Sequence, residues 1–403
     1  MVDYQHGFRK NRSCETQLLS TLESLTRSYD NKAQTDLIVL DFSKAFDTVP
    51  HQRLLQKLDS VGIRNTSENR LLGWFRSWLC DRKQKVTLEG QESDPCNVTS
   101  GVPQGTVLGP LCFLIYINDI GNELSKETNL KLFADDSLIF REIRTIEDAI
   151  ALQKDLESLT QWSKKWQMSF HPSKCQLVMT INSKRHKISH QYKMLGQPLE
   201  NVDSIQYLGV HIQNDLKWDR HVNYITNKAN RSLGFIKRNL HQCPKEVKAQ
   251  AYKALIRPTL EYASTAWDPH LQKHILQLEG VQKRAARFVT NCRSREPGCL
   301  TNAVKTLEWE TLETRRKHSR LAQIYRTING DTSPINIPPY FKPQSTRYST
   351  RNYHKNKYLT PYTRTDTYKN SFFPRTLTEW SQLPKNVINC SAEEQFRRFV
   401  KLC

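Results

Sequence analysis

The chain has 403 residues, with 60 Lys plus Arg against 40 Asp plus Glu for a net charge of +20, and 37% of it is hydrophobic. That length allows two or three domains with their own cores. No apolar stretch approaches a membrane span, no signal peptide opens the chain, and ten scattered cysteines show neither a CxxC pair nor zinc spacing; a reducing, intracellular setting without membrane contact fits these features.

In chain order, Leu18, Leu19, Leu22 and Leu25 recur at helical spacing between Cys14 and Tyr29. Leu37 to Leu40 read as a buried strand ending at Asp41. Helices are predicted over 51–61 and 68–79, short strands over 85–88 and 96–99, and an apolar helix emerging from a Gly/Pro loop over 105–120. Residues 130–140 read as a hairpin with Asp135 and Asp136 at its turn. The clearest helix is 145–167, capped by Thr145, with Ile146, Ile150, Leu156, Leu159, Trp162 and Trp166 expected on one face. A strand over 174–181 and a small hairpin over 207–212 follow, and beyond Asp219 the pattern predicts helices over 220–240, 245–260 and 274–291. Strands alternating with helices in this way predict an α+β fold, a sheet of the split β-α-β type followed by a helical region.

Charge is unevenly placed. Residues 215–403 carry 34 Lys plus Arg against 15 acids, leaving 26 against 25 for residues 1–214. A basic half joined to a neutral half suggests that the second grips polyanion while the first does chemistry. From 334 to 374, tyrosines interleave with Lys and Arg, a composition that suits base stacking or, equally, a partly irregular linker.

Three carboxylates carry the chemical signal: Asp41 in DFSKAFD, then Asp135 and Asp136 in FADD, with the loop SGVPQG between them. Taken alone, FADD reads as a turn after a strand and DFSKAFD as a helix N-terminus with Asp and Ser caps. Carboxylates at the ends of core strands are costly without a compensating cation. Brought together in one sheet they would hold divalent metal, and oxygen ligands suit Mg2+ in two-ion phosphoryl transfer.

From QHGFRKNRS (5–13) through DFSKAFD, SGVPQGTVLGPLCF, YINDI, FADD, SFHPSKCQLV and YLGV to SFFPRTLTEWSQLP (371–384), the sequence resembles the reverse transcriptase of non-LTR (LINE-type), jockey-like retrotransposons. The resemblance implies a right-hand polymerase: residual fingers over 1–35, palm over 36–214, helical thumb over 215–300 and a basic C-terminal region over 301–403. It implies RNA-directed DNA synthesis from dNTPs on an RNA template and DNA primer with two Mg2+ ions, or Mn2+, in the nucleus and cytoplasm. Asp41, Asp135, Asp136 and the Phe42 carbonyl would hold metal, and Lys174 would protonate pyrophosphate. Phe46 would reject a ribose 2′-hydroxyl, unless it is ordinary core; Gln104, Gly105 and Arg9 would bind the nucleotide; and Tyr207, Leu208 and Gly209 would form a primer grip. Lys228, Arg231, Lys237 and Arg238 would meet phosphates, or form a solvated helix face. Asp47, His51 and Asp119 read as structural turns or caps.

Only 40 residues precede Asp41, where the family places a fingers domain with a triphosphate clamp, so the remaining fingers and an endonuclease are expected upstream in the parent element. The alternative is a non-catalytic remnant that still binds nucleic acid.

Overall fold

The computed structural model describes residues 1–64, 70–171, 175–180, 187–292, 294, 296–330, 338, 341 and 358–402. Contacts divide the chain into two compact units, Met1–Ser13 with Ala33–Ile205, and Cys14–Lys32 with Gln206–Cys403. Helix α1 (Cys14–Asp30) is therefore part of the second unit.

The first unit is built on a five-stranded sheet. Its strand β1 (Gln34–Leu40) is buried nearly throughout, as the uninterrupted apolar run requires of a strand covered on both faces. Helices α2 (His51–Ser60) and α3 (Leu71–Leu79) follow. Then come four two-residue strands, β2 (Lys83–Gln84), β3 (Thr87–Leu88), β4 (Gln91–Glu92) and β5 (Cys96–Asn97), in which β2 pairs with β5 and β3 with β4. Helix α4 (Leu108–Ile117) precedes the hairpin of β6 (Asn129–Phe133) and β7 (Asp136–Ile143). Helix α5 (Ile146–Trp166) leads to β8 (Gln176–Thr180), then a small hairpin of β9 (Lys193–Met194) and β10 (Gln197–Pro198), and finally β11 (Glu200–Val202). The sheet order is β11-β8-β1-β7-β6, antiparallel except for the parallel pair β8 and β11.

Helix α5 begins where the sequence places it. Thr145 and Asp148 form a reciprocal capping box, Glu147 and Asp148 sit in the first turn, and Lys164 and Lys165 in the last. Its buried stripe corrects the sequence reading, however. Ala149, Leu152, Leu156, Leu159 and Trp162 face the core, whereas Ile146 and Ile150 are exposed. Buried Asp155 on the same helix accepts from Ser125 N and Oγ at 2.9 Å and from Thr128 Oγ1 at 2.5 Å, which pins the approach to β6.

Asp119 finds partners that sequence could not supply. It pairs with Lys57 of α2 and accepts from Trp162 Nε1 at 2.9 Å, while Lys57 Nζ lies 3.6 Å from the Trp166 ring centroid. Lys57 is almost fully buried, and burial lowers its pKa. Asp119→Ala strands that charge and is expected to cost roughly 2–3 kcal/mol, read from urea unfolding; a loss within ordinary surface scatter would contradict it.

The second unit is largely helical. Strands β12 (Ser204–Tyr207) and β13 (Val210–Gln213) pair where the chain enters it, followed by α6 (Asp219–Asn239). The single helix expected over 245–260 is instead α7 (Lys245–Ala251), a π-helical turn over Tyr252–Ile256 and α8 (Arg257–Glu261). Pro258 at the start of α8 lacks an N–H and could not continue an α-helical ladder. Then come α9 (Ser264–Trp267), α10 (Gln272–Val289), α11 (Cys299–Thr306), α12 (Leu312–Asn329), α13 (Asp366–Lys369), α14 (Phe372–Ser381), α15 (Lys385–Ile388) and α16 (Glu393–Val400). Leu321, Tyr325, Phe373, Trp380, Val387 and Phe396 form one apolar cluster together with Leu19 of α1, so the basic C-terminal region is packed into the core of the second unit. No helix among the described residues is long and apolar enough to cross a membrane.

Candidate active site

Antiparallel pairing brings the three carboxylates to one end of the sheet. β1 pairs with β7 so that Leu40 lies opposite Ser137, which puts Asp41 and Asp136, the next residues outward on the two strands, at the same end of the sheet. Phe133 pairs with Asp136, leaving Ala134 and Asp135 as a two-residue hairpin turn with Ala134 at φ 53°. On the other side, His171 N donates to Asp41 O at 2.8 Å and Ser43 N to Ser169 O at 2.8 Å. Phe42 is buried and stacks on Phe170 at 4.4 Å between centroids. The backbone of Asp41 is thus clamped while its side chain lies at the strand end.

The carboxylates feel one another. Desolvation, and then the charge of Asp41, raises the pKa of Asp135. Asp136 is pushed up to about 6, first by desolvation and then by the charges of Asp135 and Asp41, although part of it reaches solvent. Mutually repelling carboxylates at a sheet end fit a divalent cation. Among the described residues, no group of three or more His, Cys, Asp or Glu is placed to hold a metal ion.

Without cation, the raised Asp136 pKa has a defined sign. Its contribution to stability is full below the ordinary value of 3.8 and is lost as pH rises through about 6. Asp136→Asn is expected to raise the melting temperature of the metal-free protein at neutral pH, by the equivalent of roughly 1 kcal/mol after solvent screening, and to flatten its pH profile. Thermal melts across that range test this; a lower melting temperature would count against it.

The loop SGVPQG is anchored to the segment after Asp41. Gly101 N donates to Val49 O and Val102 N to Phe46 O, both at 2.8 Å. Gly101 lies at φ +91°, and a Cβ there would come within 2.8 Å of Asp47 O, so only glycine fits. Asp47 accepts from Gln104 Nε2 at 2.7 Å, and His51 Nε2 hydrogen-bonds Gly101 O at 2.9 Å. Gln104 and Gly105 are exposed. Gln104 lines a cleft of about 580 Å³ together with Lys44, Arg82, Gln84 and Asn97. Half-buried Phe46 stacks on Phe113 at 4.3 Å and meets Phe8 edge-on at 6.2 Å. Arg9 donates to Val2 O at 2.5 Å and Gln5 O at 3.3 Å, which folds its guanidinium back onto its own loop. Lys174 lies outside the described residues.

In the second unit, Tyr207 is buried and its hydroxyl accepts from Gln17 Nε2 at 3.2 Å. Leu208 and Gly209 form the following turn, both at positive φ, and Tyr262 Oη donates to Leu208 O at 3.1 Å. On α6, Lys228, Arg231 and Arg238 are exposed, opposite the buried stripe of Val222, Ile225, Ala229, Leu233 and Ile236. Lys237 is half-buried, and desolvation followed by Arg284 and Arg287 of α10 lowers its pKa. That basic cluster across two helices was not singled out from sequence; its signal was the run Lys283, Arg284 and Arg287.

The sequence profile of the reverse transcriptase (RNA-dependent DNA polymerase) family matches residues 1–212, just over half of the 403. The chain belongs to this reverse transcriptase family. Among its relatives is the protein named "Probable RNA-directed DNA polymerase from transposon X-element" of Drosophila melanogaster, 26% identical over 339 residues that cover 82% of this chain and 35% of the relative. The RNA-directed DNA polymerase from mobile element jockey of Drosophila funebris is 25% identical over 332 residues, covering 79% and 36% respectively. This reverse transcriptase chain therefore spans about a third of the length of the curated relatives it matches. A solved structure of apo telomerase from Candida tropicalis overlaps with a TM-score of 0.40 and 13% identity, covering 81% of this chain and 51% of that one.

Proposed function

We propose that this chain is the RNA-directed DNA polymerase portion of a non-LTR retrotransposon protein, extending a DNA primer on an RNA template with dNTPs. The observation that carries the reading is the convergence of Asp41, Asp135 and Asp136 at one sheet end, inside the segment matched by the family profile. In this reading the first unit serves as palm, and α6 to α10 serve as thumb. Divalent ions bound by the three carboxylates would activate the primer 3′-hydroxyl and neutralise the leaving pyrophosphate. Asp41 at a clamped strand end and Asp135 in a tight turn would hold the ions, together with the Phe42 carbonyl. Gln104, Gly105 and Phe46 shape the nucleotide side, with Phe46 excluding a 2′-hydroxyl; Lys174 supplies the proton for pyrophosphate. Tyr207, Leu208 and Gly209 hold the primer end, while Lys228, Arg231, Lys237 and Arg238 neutralise duplex phosphates.

Incorporation of dTTP on poly-rA primed with oligo-dT, in Mg2+, tests this reading. Template-dependent extension is expected. A second reading, nucleic-acid binding without synthesis, rests on the exposed cations Lys228, Arg231 and Arg238 of α6 alone. Duplex binding with no extension in either Mg2+ or Mn2+ would select it.

A further inference from the structure

The N-terminal motif Gln5-His6-Gly7 packs along the strand that carries the catalytic turn. Gln5 bridges Leu132 in parallel; His6 N donates to Leu132 O at 2.9 Å, and Leu132 N donates to Tyr4 O at 2.9 Å. The Gln5 side chain then reaches past the end of β6. Its Oε1 accepts from Gly7 N at 2.7 Å and from Ala134 N at 3.0 Å. Ala134 is the left-handed residue of the turn, is itself buried, and directly precedes Asp135. A two-residue hairpin turn closes its own pairing through the flanking strands, which leaves an inward-facing amide at Ala134 in need of an outside acceptor.

Gly7 completes the fit. A Cβ there would stand 2.3 Å from Ala134 N, so the segment approaches the turn as closely as a bare backbone permits. Gln5 is only 2% exposed, and its Nε2 is buried without a hydrogen-bond partner among the described residues. An amide kept inside the core at that cost is held there by what its oxygen does.

We infer that Gln5 is a positioning residue for the active site: its side-chain oxygen fixes the Ala134–Asp135 turn and thereby the direction in which Asp135 presents its carboxylate. Gln5 touches neither substrate nor metal in this role. It supplies the one acceptor that neither β6 nor β7 provides, and Gly7 sets the distance. This inference rests on the polymerase reading only for the use made of Asp135.

The test compares the wild-type chain with Gln5→Met, which keeps length and volume but removes the acceptor, and Gln5→Glu, which keeps an accepting oxygen. Amide hydrogen exchange is read at the 130–137 peptide, alongside primer extension and duplex binding. In Gln5→Met, faster exchange confined to the turn is expected, with kcat lowered by about tenfold or more, as a misplaced catalytic group costs. Its KM for dTTP and its duplex affinity are expected to stay near wild type, and Gln5→Glu is expected to restore exchange protection. Unchanged turn protection in Gln5→Met would overturn the inference, as would loss of protection spread evenly over the sheet. If the wild-type chain itself does not extend primer, the polymerase reading fails, and exchange at the turn still decides whether Gln5 fixes it.

Discussion

Asp135→Asn is expected to reduce primer extension by at least about a thousandfold, while duplex affinity stays within about twofold of wild type. A thousandfold loss corresponds to roughly 4 kcal/mol of transition-state stabilisation. That is the order expected when a ligand that concentrates positive charge at the reacting phosphate is neutralised. Asparagine preserves the shape of the side chain and leaves the hairpin pairing of Phe133 with Asp136 in place. In the proposed reading, duplex binding falls instead to Lys228, Arg231, Lys237 and Arg238. Primer extension by single-turnover assay and duplex binding by fluorescence anisotropy check the two halves separately. A variant that extends at a tenth of the wild-type rate would remove Asp135 from the catalytic set.

The largest stability effect is expected within the second unit. Asp268, just after α9, is nearly buried and receives Arg316 Nε at 2.5 Å; it also pairs with Arg320, and with Arg375 at 3.3 Å. Arg316 and Arg320 are fully buried on α12. Desolvation lowers the pKa of both to about 10, with Glu279 opposing this at Arg316 and Glu379 at Arg320. Removing the anion leaves these guanidiniums uncompensated in the core. Asp268→Asn is therefore expected to destabilise the second unit by about 3–5 kcal/mol. Chemical denaturation followed by tryptophan fluorescence reports it through Trp267 and Trp380, both buried in that unit. A cost under about 1 kcal/mol would show that the cluster is satisfied by other groups.

The same cluster shows where sequence reading reached its limit. The positive excess of residues 215–403 suggests a polyanion-binding face, and exposed Lys228, Arg231 and Arg238 suit that purpose. Arg316 and Arg320, counted in the same excess, are internal ion-pair partners. Charge count along a chain does not distinguish a surface cation from one neutralised across the core, because its partner is set by tertiary packing.

Local signals were legible where the chemistry is local. The apolar run before Asp41 and the Thr145 cap of α5 depend on neighbouring residues alone and are found where they were expected; the FADD hairpin also forms, but its turn is Ala134–Asp135 and Asp136, expected in the turn, is the first residue of β7. The exposed Ile146 and Ile150 show that periodicity fixes a helix better than its rotation, which the sheet beneath decides. Pro258 was visible, but the π-helical turn that accommodates it was not. Gln5 carried no legible role, since its partner amide lies 129 positions away. Asp119 and Asp47 likewise gained partners only through folding.

In the proposed mechanism Asp41, Asp135 and Asp136 together hold the divalent ions of nucleotidyl transfer. The most direct measurement is Mn2+ binding by electron paramagnetic resonance, with dTTP and a dideoxy-terminated primer on poly-rA present so that the complex forms without reacting. The wild-type chain is expected to bind Mn2+ beyond what dTTP and nucleic acid hold by themselves, with that increment lost in Asp41→Asn and in Asp135→Asn. Equal Mn2+ binding by wild-type and substituted chains would contradict the account.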